Sequence, residues 1–302
     1  MSGLPADAWA TLRAHARTFT PEAIAEQRTL LGEILGDIRA PHVERDVAYG
    51  EDERQRFDLH ALEPLEPGAA RPIILFVHGG GFVGGDKRDP VLPFFDNVGA
   101  WAAGLGWIAA TMTYRRAPDH VWPAGAQDVG SAVRRLREDA PAVGGDPDRI
   151  VLFGHSAGAA HVAGYIAGHG GPVSGGIAGV ALQSGIYDPV TADDEIAAMV
   201  ALYYGDDRAA RSPLAALAAS RLPLFIGTGE HDPLAFQRQA AAAVVAVLAE
   251  RGALPFAHVA PGHSHFTSVL SLGADETFGA VVARFIRRAL GDSPAAHEGA
   301  PA

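Results

Sequence analysis

Short runs of consecutive apolar residues alternate along this chain with longer stretches in which apolar positions recur every three or four residues. That alternation predicts strands exchanging with helices, and so an α/β fold. Residues 73–77, Ile-Ile-Leu-Phe-Val, are an unbroken apolar run of the kind buried on both faces of a parallel sheet. Similar runs at 107–113, 150–153, 179–182, 222–227 and 255–259 predict further strands, and 42–49 with 54–62 predict a pair before them. Helical spacing fills most of the gaps, at 91–103, 124–138, 157–167, 234–251 and 275–290. Such connections close right-handed around a mostly parallel sheet covered on both faces. Sheets of this type carry their sites at the carboxyl ends of the strands.

The two ends differ from this middle. Residues 4–39 are Ala/Leu-rich and helical in spacing, with Thr20-Pro21-Glu22 as a cap followed by proline at the first helical position. The last stretch is small and polar with two prolines, which predicts a tail without fixed structure over 292–302. The expected organisation is therefore a helical segment over 1–40, one large domain over 41–291, and that tail.

Composition narrows the class. With 302 residues, 48% hydrophobic and 20% charged, the chain is long enough to bury a sizeable core. No stretch approaches the roughly 20 uncharged apolar residues of a membrane span, and no basic start leads into an apolar run. A cytoplasmic protein that does not enter membranes is expected. The formal charge of −11, from 35 acidic against 24 basic residues without a long basic run, argues against nucleic acid as a partner. Cysteine is absent, which excludes disulfides, a thiol nucleophile and thiolate metal sites.

Candidate chemistry begins at Gly154-His155-Ser156-Ala157-Gly158, which closes a predicted strand and opens an Ala-rich helix. This is G-x-S-x-G in the strand–turn–helix setting that exposes a nucleophilic serine. Residues two before and two after Ser156 are expected to approach neighbouring chain too closely for a Cβ. The Ala157 amide would then open a helix, where partial positive charge favours a developing oxyanion. An ordinary strand–helix turn with a capping serine is the plainer alternative.

Upstream, His78-Gly79-Gly80-Gly81-Phe82 follows directly on the strand ending at Val77. A triple glycine lets backbone amides, rather than side chains, face a reacting carbonyl, and Gly80, Gly81 and Ala157 are the expected oxyanion-hole donors. The loop lacks the Lys-Ser/Thr of a phosphate-binding loop. His78 is expected to steady it rather than react.

Together these motifs resemble the α/β-hydrolase esterases with an HGGG oxyanion loop, the hormone-sensitive-lipase-like carboxylesterases, over roughly residues 55–290. Tyr114-Arg115-Arg116-Ala117-Pro118-Asp119-His120-Val121-Trp122-Pro123-Ala124 is similar to that family's Y-R-L-A-P-E-H-x-[FW]-P-A segment, with Arg116 in place of the usual Leu. Asp146-Pro147-Asp148-Arg149-Ile150 resembles its lead into the nucleophile strand. Gly84-Gly85-Asp86-Lys87 is closer to the arylformamidase and feruloyl-esterase-like branch. The resemblance implies an α/β-hydrolase fold: a mostly parallel eight-stranded sheet, helices on both faces, and a small helical cap built partly from residues 1–40 and partly from an insertion at 191–221. It also implies the chain order serine, acid, histidine.

Asp232, in the Asp-Pro that follows the strand at 222–227, is the acid by resemblance; Glu230 is its nearest competitor and Asp188 a weaker one. His265, followed by Phe266, is the base by resemblance, with His263 as the alternative. The two histidines form H-x-H, yet neither a third histidine nor a carboxylate stands at ligand spacing, so no metal and no cofactor are expected. His155 occupies the variable position of the elbow and His161 is expected to pack on its helix. Phe82, Trp122, Tyr203 and Phe266 are the expected substrate-binding aromatics, suited to short or medium acyl chains or aromatic esters. The expected function is a serine carboxylesterase with a small-molecule ester as partner, and a homodimer is left open. An arylformamidase-like amide hydrolase and a non-catalytic binding protein on the same fold are the alternatives.

Overall fold

The computed structural model describes residues 4–14, 18, 20–193 and 195–292. The expected tail therefore lies outside the described residues except for Asp292, which pairs with Arg149 at 2.5 Å. Eight strands form one sheet: β1 (His42–Ala48), β2 (Arg56–Ala61), β3 (Arg71–Val77), β4 (Ile108–Met112), β5 (Gly145–His155), β6 (Ile177–Gln183), β7 (Leu224–Gly229) and β8 (Phe256–Ala260). Their order is β1-β2-β4-β3-β5-β6-β7-β8. β2 runs antiparallel to β1 and β4, and the remaining pairs are parallel.

The helices are α1 (Ala6–Ala14), α2 (Pro21–Leu35), α3 (Asp96–Gly104), α4 (Ala124–Asp139), α5 (Ala157–Ile166), α6 (Ala197–Tyr204), α7 (Leu214–Ala219), α8 (Leu234–Arg251), the single turn α9 (Thr267–Leu270) and α10 (Glu276–Ala289). The central strands β3, β4 and β5 are apolar on alternate residues of both faces because both are covered. Ile73, Leu75, Ile150 and Leu152 meet Val129, Val133 and Val162 on one side. Ile74, Phe76, Val151 and Phe153 meet Val98, Val282 and Ile286 on the other.

The helix expected from residue 91 begins only at Asp96. The Asp89 carboxylate accepts the amides of Val91 and Leu92, taking the N–H groups a helix would need. Pro93 has no N–H to give, and helical bonding starts with its carbonyl, which accepts from Asn97 at 2.8 Å. Residues 85–95 are consequently a loop at the carboxyl edge of the sheet. At the N-terminus, Thr20 caps α2 by accepting from the Ala23 amide, with Pro21 at the first position.

α1 and α2 lie over this edge: Leu4, Leu12 and Leu31 pack with Phe94 and Leu270. α6 packs over Phe82, Ile186 and Phe236 through Val200, Tyr203 and Tyr204. Among the described residues no helix is long and apolar enough to cross a membrane.

Candidate active site

β5 enters α5 through a turn that holds Ser156 at φ +55° and ψ −122°, a conformation a non-glycine residue keeps only when its surroundings impose it. The flanking glycines explain how. A Cβ on Gly154 would lie 2.6 Å from the Ala159 Cα, and one on Gly158 2.1 Å from the Val77 carbonyl oxygen, both inside the 3.0 Å that real contacts respect. The Ser156 amide donates to the Gln183 carbonyl at 2.9 Å, pinning the turn to the end of β6.

Two further loops converge on this serine. His265 Nε2 stands 2.9 Å from Ser156 Oγ, and His265 Nδ1 stands 3.2 Å from Asp232 Oδ1. All three side chains are buried. Because a carboxylate only accepts, the imidazole proton belongs on Nδ1, which leaves Nε2 free to accept the serine hydroxyl. Asp232 Oδ2 accepts from Thr228 Oγ1 at 2.6 Å and from the Gly229 amide at 3.0 Å. Burial pushes the Asp232 carboxyl up, but the charge of His265 and hydrogen bonds from His265, Ser184 and Thr228 outweigh it and hold the group below its ordinary value. The competing acids sit elsewhere. Glu230 accepts the Gly262 amide at 2.7 Å and so supports the loop of His265, while Asp188 caps a short turn through the Val190 amide. His263 is turned away from Ser156 and pairs with Asp275 at 3.1 Å.

The glycine loop leaves β3 beside Ser156. Gly80 takes φ +143°, and a Cβ there would lie 2.2 Å from the Gly84 carbonyl oxygen. His78 donates from Nδ1 to the Gly79 carbonyl at 2.6 Å and stacks on Tyr114 with ring centres 4.5 Å apart. Burial pushes its imidazole down to about 4, so it stays neutral and braces the loop. The segment 114–124 does the same from outside: Tyr114 Oη donates to the His78 carbonyl, the Ala117 amide to that of Phe82, and Arg116 to that of Gly85. Lys87, from the Gly-Gly-Asp-Lys stretch, does not line the cavity at Ser156 but joins a partly buried charge network with Asp46 at 2.6 Å and Asp58 at 3.4 Å.

A cavity of about 380 Å³ opens on Ser156, Gly79, Gly80 and His155. Its apolar wall is Phe94, Phe95, Phe266 and Leu270, and its rim carries Arg28 of α2 with Asp86, Arg88 and Asp89. Of the four aromatics expected at the pocket, Phe266 lines this cavity and the other three do not. Phe82 is fully buried and stacks on Tyr203 at 4.3 Å, because both fill the layer between α5 and α6. Trp122 is engaged from its nitrogen with His169 and on its face with Arg211. The wall comes instead from the 85–95 loop, whose residues 91–95 read as a helix start in sequence.

His155 was hidden in the variable position of the elbow. Its Nε2 donates to the His265 carbonyl at 2.7 Å, and burial with the nearby His265 pushes its imidazole down to about 3. Only the return of the 265 loop over β5 reveals that contact. Among the described residues no group of three or more His, Asp or Glu gathers as a metal site.

An imidazole between a buried carboxylate and a serine hydroxyl on a strained strand–helix turn is an arrangement able to make that hydroxyl a nucleophile. A family model of the α/β-hydrolase fold matches residues 74–267, and the chain belongs to that family. Esterase LipQ of Mycobacterium tuberculosis is 29% identical over 241 residues, which cover 73% of this chain and 56% of that protein. Carboxylesterase NlhH of the same species is 36% identical over 187 residues, 54% of this chain and 57% of that one. The chain thus spans a little over half the length of these relatives. Among solved structures, the hyperthermophilic esterase of the archaeon Pyrobaculum calidifontis superposes with a TM-score of 0.72 at 18% identity, covering 96% of this chain and 100% of that one. A bacterial heroin esterase does so with a TM-score of 0.70 at 24% identity, covering 95% and 98%. These last two likenesses are of fold.

Proposed function

We propose that this chain hydrolyses carboxylic esters through a serine acyl-enzyme. The observation that carries the reading is the unbroken contact from Ser156 Oγ to His265 Nε2 at 2.9 Å and from His265 Nδ1 to Asp232 at 3.2 Å, opening on a cavity. His265 takes the serine proton as Oγ attacks the ester carbonyl. The amides of Gly80, Gly81 and Ala157 receive the negative oxygen of the tetrahedral intermediate, each worth about 3 kcal/mol of barrier. His265 then returns the proton to the departing alcohol. A water molecule, deprotonated by the same nitrogen, releases the acid and restores the hydroxyl. Asp232 keeps the imidazole in the working tautomer and balances its transient charge.

The phenylalanine wall favours short or medium acyl chains and aryl esters over charged or very long ones. The similarity to proteins named as an esterase, LipQ, and a carboxylesterase, NlhH, supports the reaction class.

The test compares p-nitrophenyl acetate, p-nitrophenyl octanoate and an aryl formamide, with a fluorophosphonate probe alongside. Ester turnover and labelling at Ser156 are expected, with Ser156→Ala losing both, the rate by about 10⁴-fold or more. A Ser156→Ala variant that still turns over ester at the parent rate would end the proposal. Preference for the formamide would reassign the substrate.

A further inference from the structure

His265 is held at its ring by Asp232 and at its carbonyl by His155. The two residues before it are held by a separate set of bonds, and one of these reaches across almost the whole sequence. Ser264 Oγ donates to Gln27 Oε1 of α2 at 2.5 Å. Both side chains are buried. The amide of Gln27 has a fixed orientation, because its Nε2 donates to the Ala23 carbonyl at 3.1 Å and so turns the oxygen toward Ser264. The Ser264 amide in turn donates to Thr267 Oγ1 at 2.9 Å. Thr267 Oγ1 also contacts His263 Nδ1 at 3.2 Å, and His263 Nε2 meets Asp275 at 3.1 Å. Trp9 of α1 packs edge-on against His263 with ring centres 5.0 Å apart.

The neighbouring residue of α2 grips the opposite wall. Arg28 pairs with Asp89 at 2.5 Å and covers the Phe94 ring at 5.0 Å. Consecutive residues of one helix therefore hold the histidine loop and the cavity loop. Gln27 itself does not line the cavity, whereas Arg28 does.

We infer that Gln27 is a positioning residue for the base: through the Ser264 hydroxyl it sets where His265 stands relative to Ser156. This rests on the esterase reading above. The bond is buried, and without it the Ser264 hydroxyl keeps only its longer contacts with Thr267, to Oγ1 at 3.3 Å and from the amide at 3.4 Å. The tie of the peptide ahead of His265 to α2 is then lost, and that peptide is free to move with Thr267. A displacement of about 1 Å at a reacting group costs on the order of 10²-fold in rate. Substrate binding should change little, since the cavity wall is untouched. The expected signature is a fall in kcat at nearly constant KM, which marks a contact felt in the transition state rather than in binding.

The experiment uses the full chain with p-nitrophenyl acetate and three variants, Gln27→Met, Ser264→Ala and the two combined. Met keeps the length of Gln and removes the acceptor; Ser264→Ala removes the same bond from the other end, together with the longer Ser264 Oγ contacts to Thr267, and leaves α2 intact. Each single variant is expected to lose about 10-fold or more in kcat with KM within about twofold. The combined variant is expected to lose no more than Ser264→Ala alone, because Gln27 acts through the Ser264 hydroxyl that this variant already lacks. Thermal midpoints separate this from unfolding. Should Gln27→Met fail to fold, Ser264→Ala decides alone. Parent kcat in Ser264→Ala, or losses that multiply in the combined variant, would overturn the inference. Absence of Ser156-dependent turnover in the unsubstituted protein would instead overturn the esterase reading, so the two failures are distinct.

Discussion

Gly158→Ala is the most direct probe of how the sheet builds the oxyanion side of the site. The added Cβ would lie 2.1 Å from the Val77 carbonyl oxygen and 2.5 Å from that of His78. Both are backbone atoms at the end of β3, so no side-chain rotation relieves the contact. To reach even 3.0 Å, α5 and β3 must separate by about 0.9 Å at this point. Val77 is paired in register with Gly154 two residues before the serine, so the strands cannot slide apart freely. The displacement falls on the first turn of α5, which carries the Ala157 amide, or on His78, which leads into Gly79–Gly81. Either way the donors and Ser156 lose their mutual placement. A misplacement of this size costs about 10²-fold in rate, and the overpacking costs about 1–3 kcal/mol in stability.

Gly164→Ala is the matched control in the same helix. Its Cβ would meet the Ala126 Cβ at 3.4 Å, an ordinary contact. It should leave kcat unchanged and stabilise by up to about 1 kcal/mol through lower backbone freedom in the unfolded chain. The assay is kcat with p-nitrophenyl acetate beside a urea unfolding curve for both variants. If Gly158→Ala matches the parent in rate and stability, or if the two variants behave alike, the account of the turn is wrong.

Two further outcomes test the frame around the site. Burial pushes His161 down to about 3, and it packs among the rings of Phe82, Tyr114 and Tyr203, so it stays neutral in the fold. The unfolded chain takes up that proton from about pH 6.5 downward. Stability from this group is therefore complete above that pH and is lost as pH falls toward the folded value, by about 2 kcal/mol at pH 5. His161→Phe should flatten the fall in urea midpoint between pH 7.5 and pH 5, and an unchanged slope would refute the assignment. Asp58 is fully buried and accepts from Arg45 at 2.8 Å, Arg88 at 3.0 Å and the Asp46 amide at 2.8 Å. Asp58→Ala removes the buried carboxylate shared by Arg45, Arg88 and Lys87, which keep Asp96 and Asp46 as partners, and should destabilise by about 1.5–3 kcal/mol with the 85–95 loop loosened. Parent-like unfolding and parent-like KM would contradict that.

What was legible in the sequence is what neighbours in the chain decide together. The apolar runs at 73–77 and 150–153 named the buried strands because a strand covered on both faces has no polar alternation to show. The turn at Ser156 was readable because the glycines that permit it stand two residues to either side. The helix start misread at residue 91 failed for a local reason of another kind, a side chain competing for amides, which periodicity does not register. His155 left no signal, since its partner is the carbonyl of a residue 110 positions away.

The sequence by itself determined the alternating elements, the strained serine turn and the glycine loop, because each depends on sterics and polarity within a few residues. Only the tertiary structure decided that His265 rather than His263 faces Ser156, and that Asp232 rather than Glu230 or Asp188 faces His265. It also decided that loop 85–95 and α2, instead of Phe82, Trp122 and Tyr203, wall the cavity. Those choices are made by distances of about 3 Å between loops that the chain keeps tens to hundreds of residues apart, and a hydrogen bond falls away steeply beyond that range.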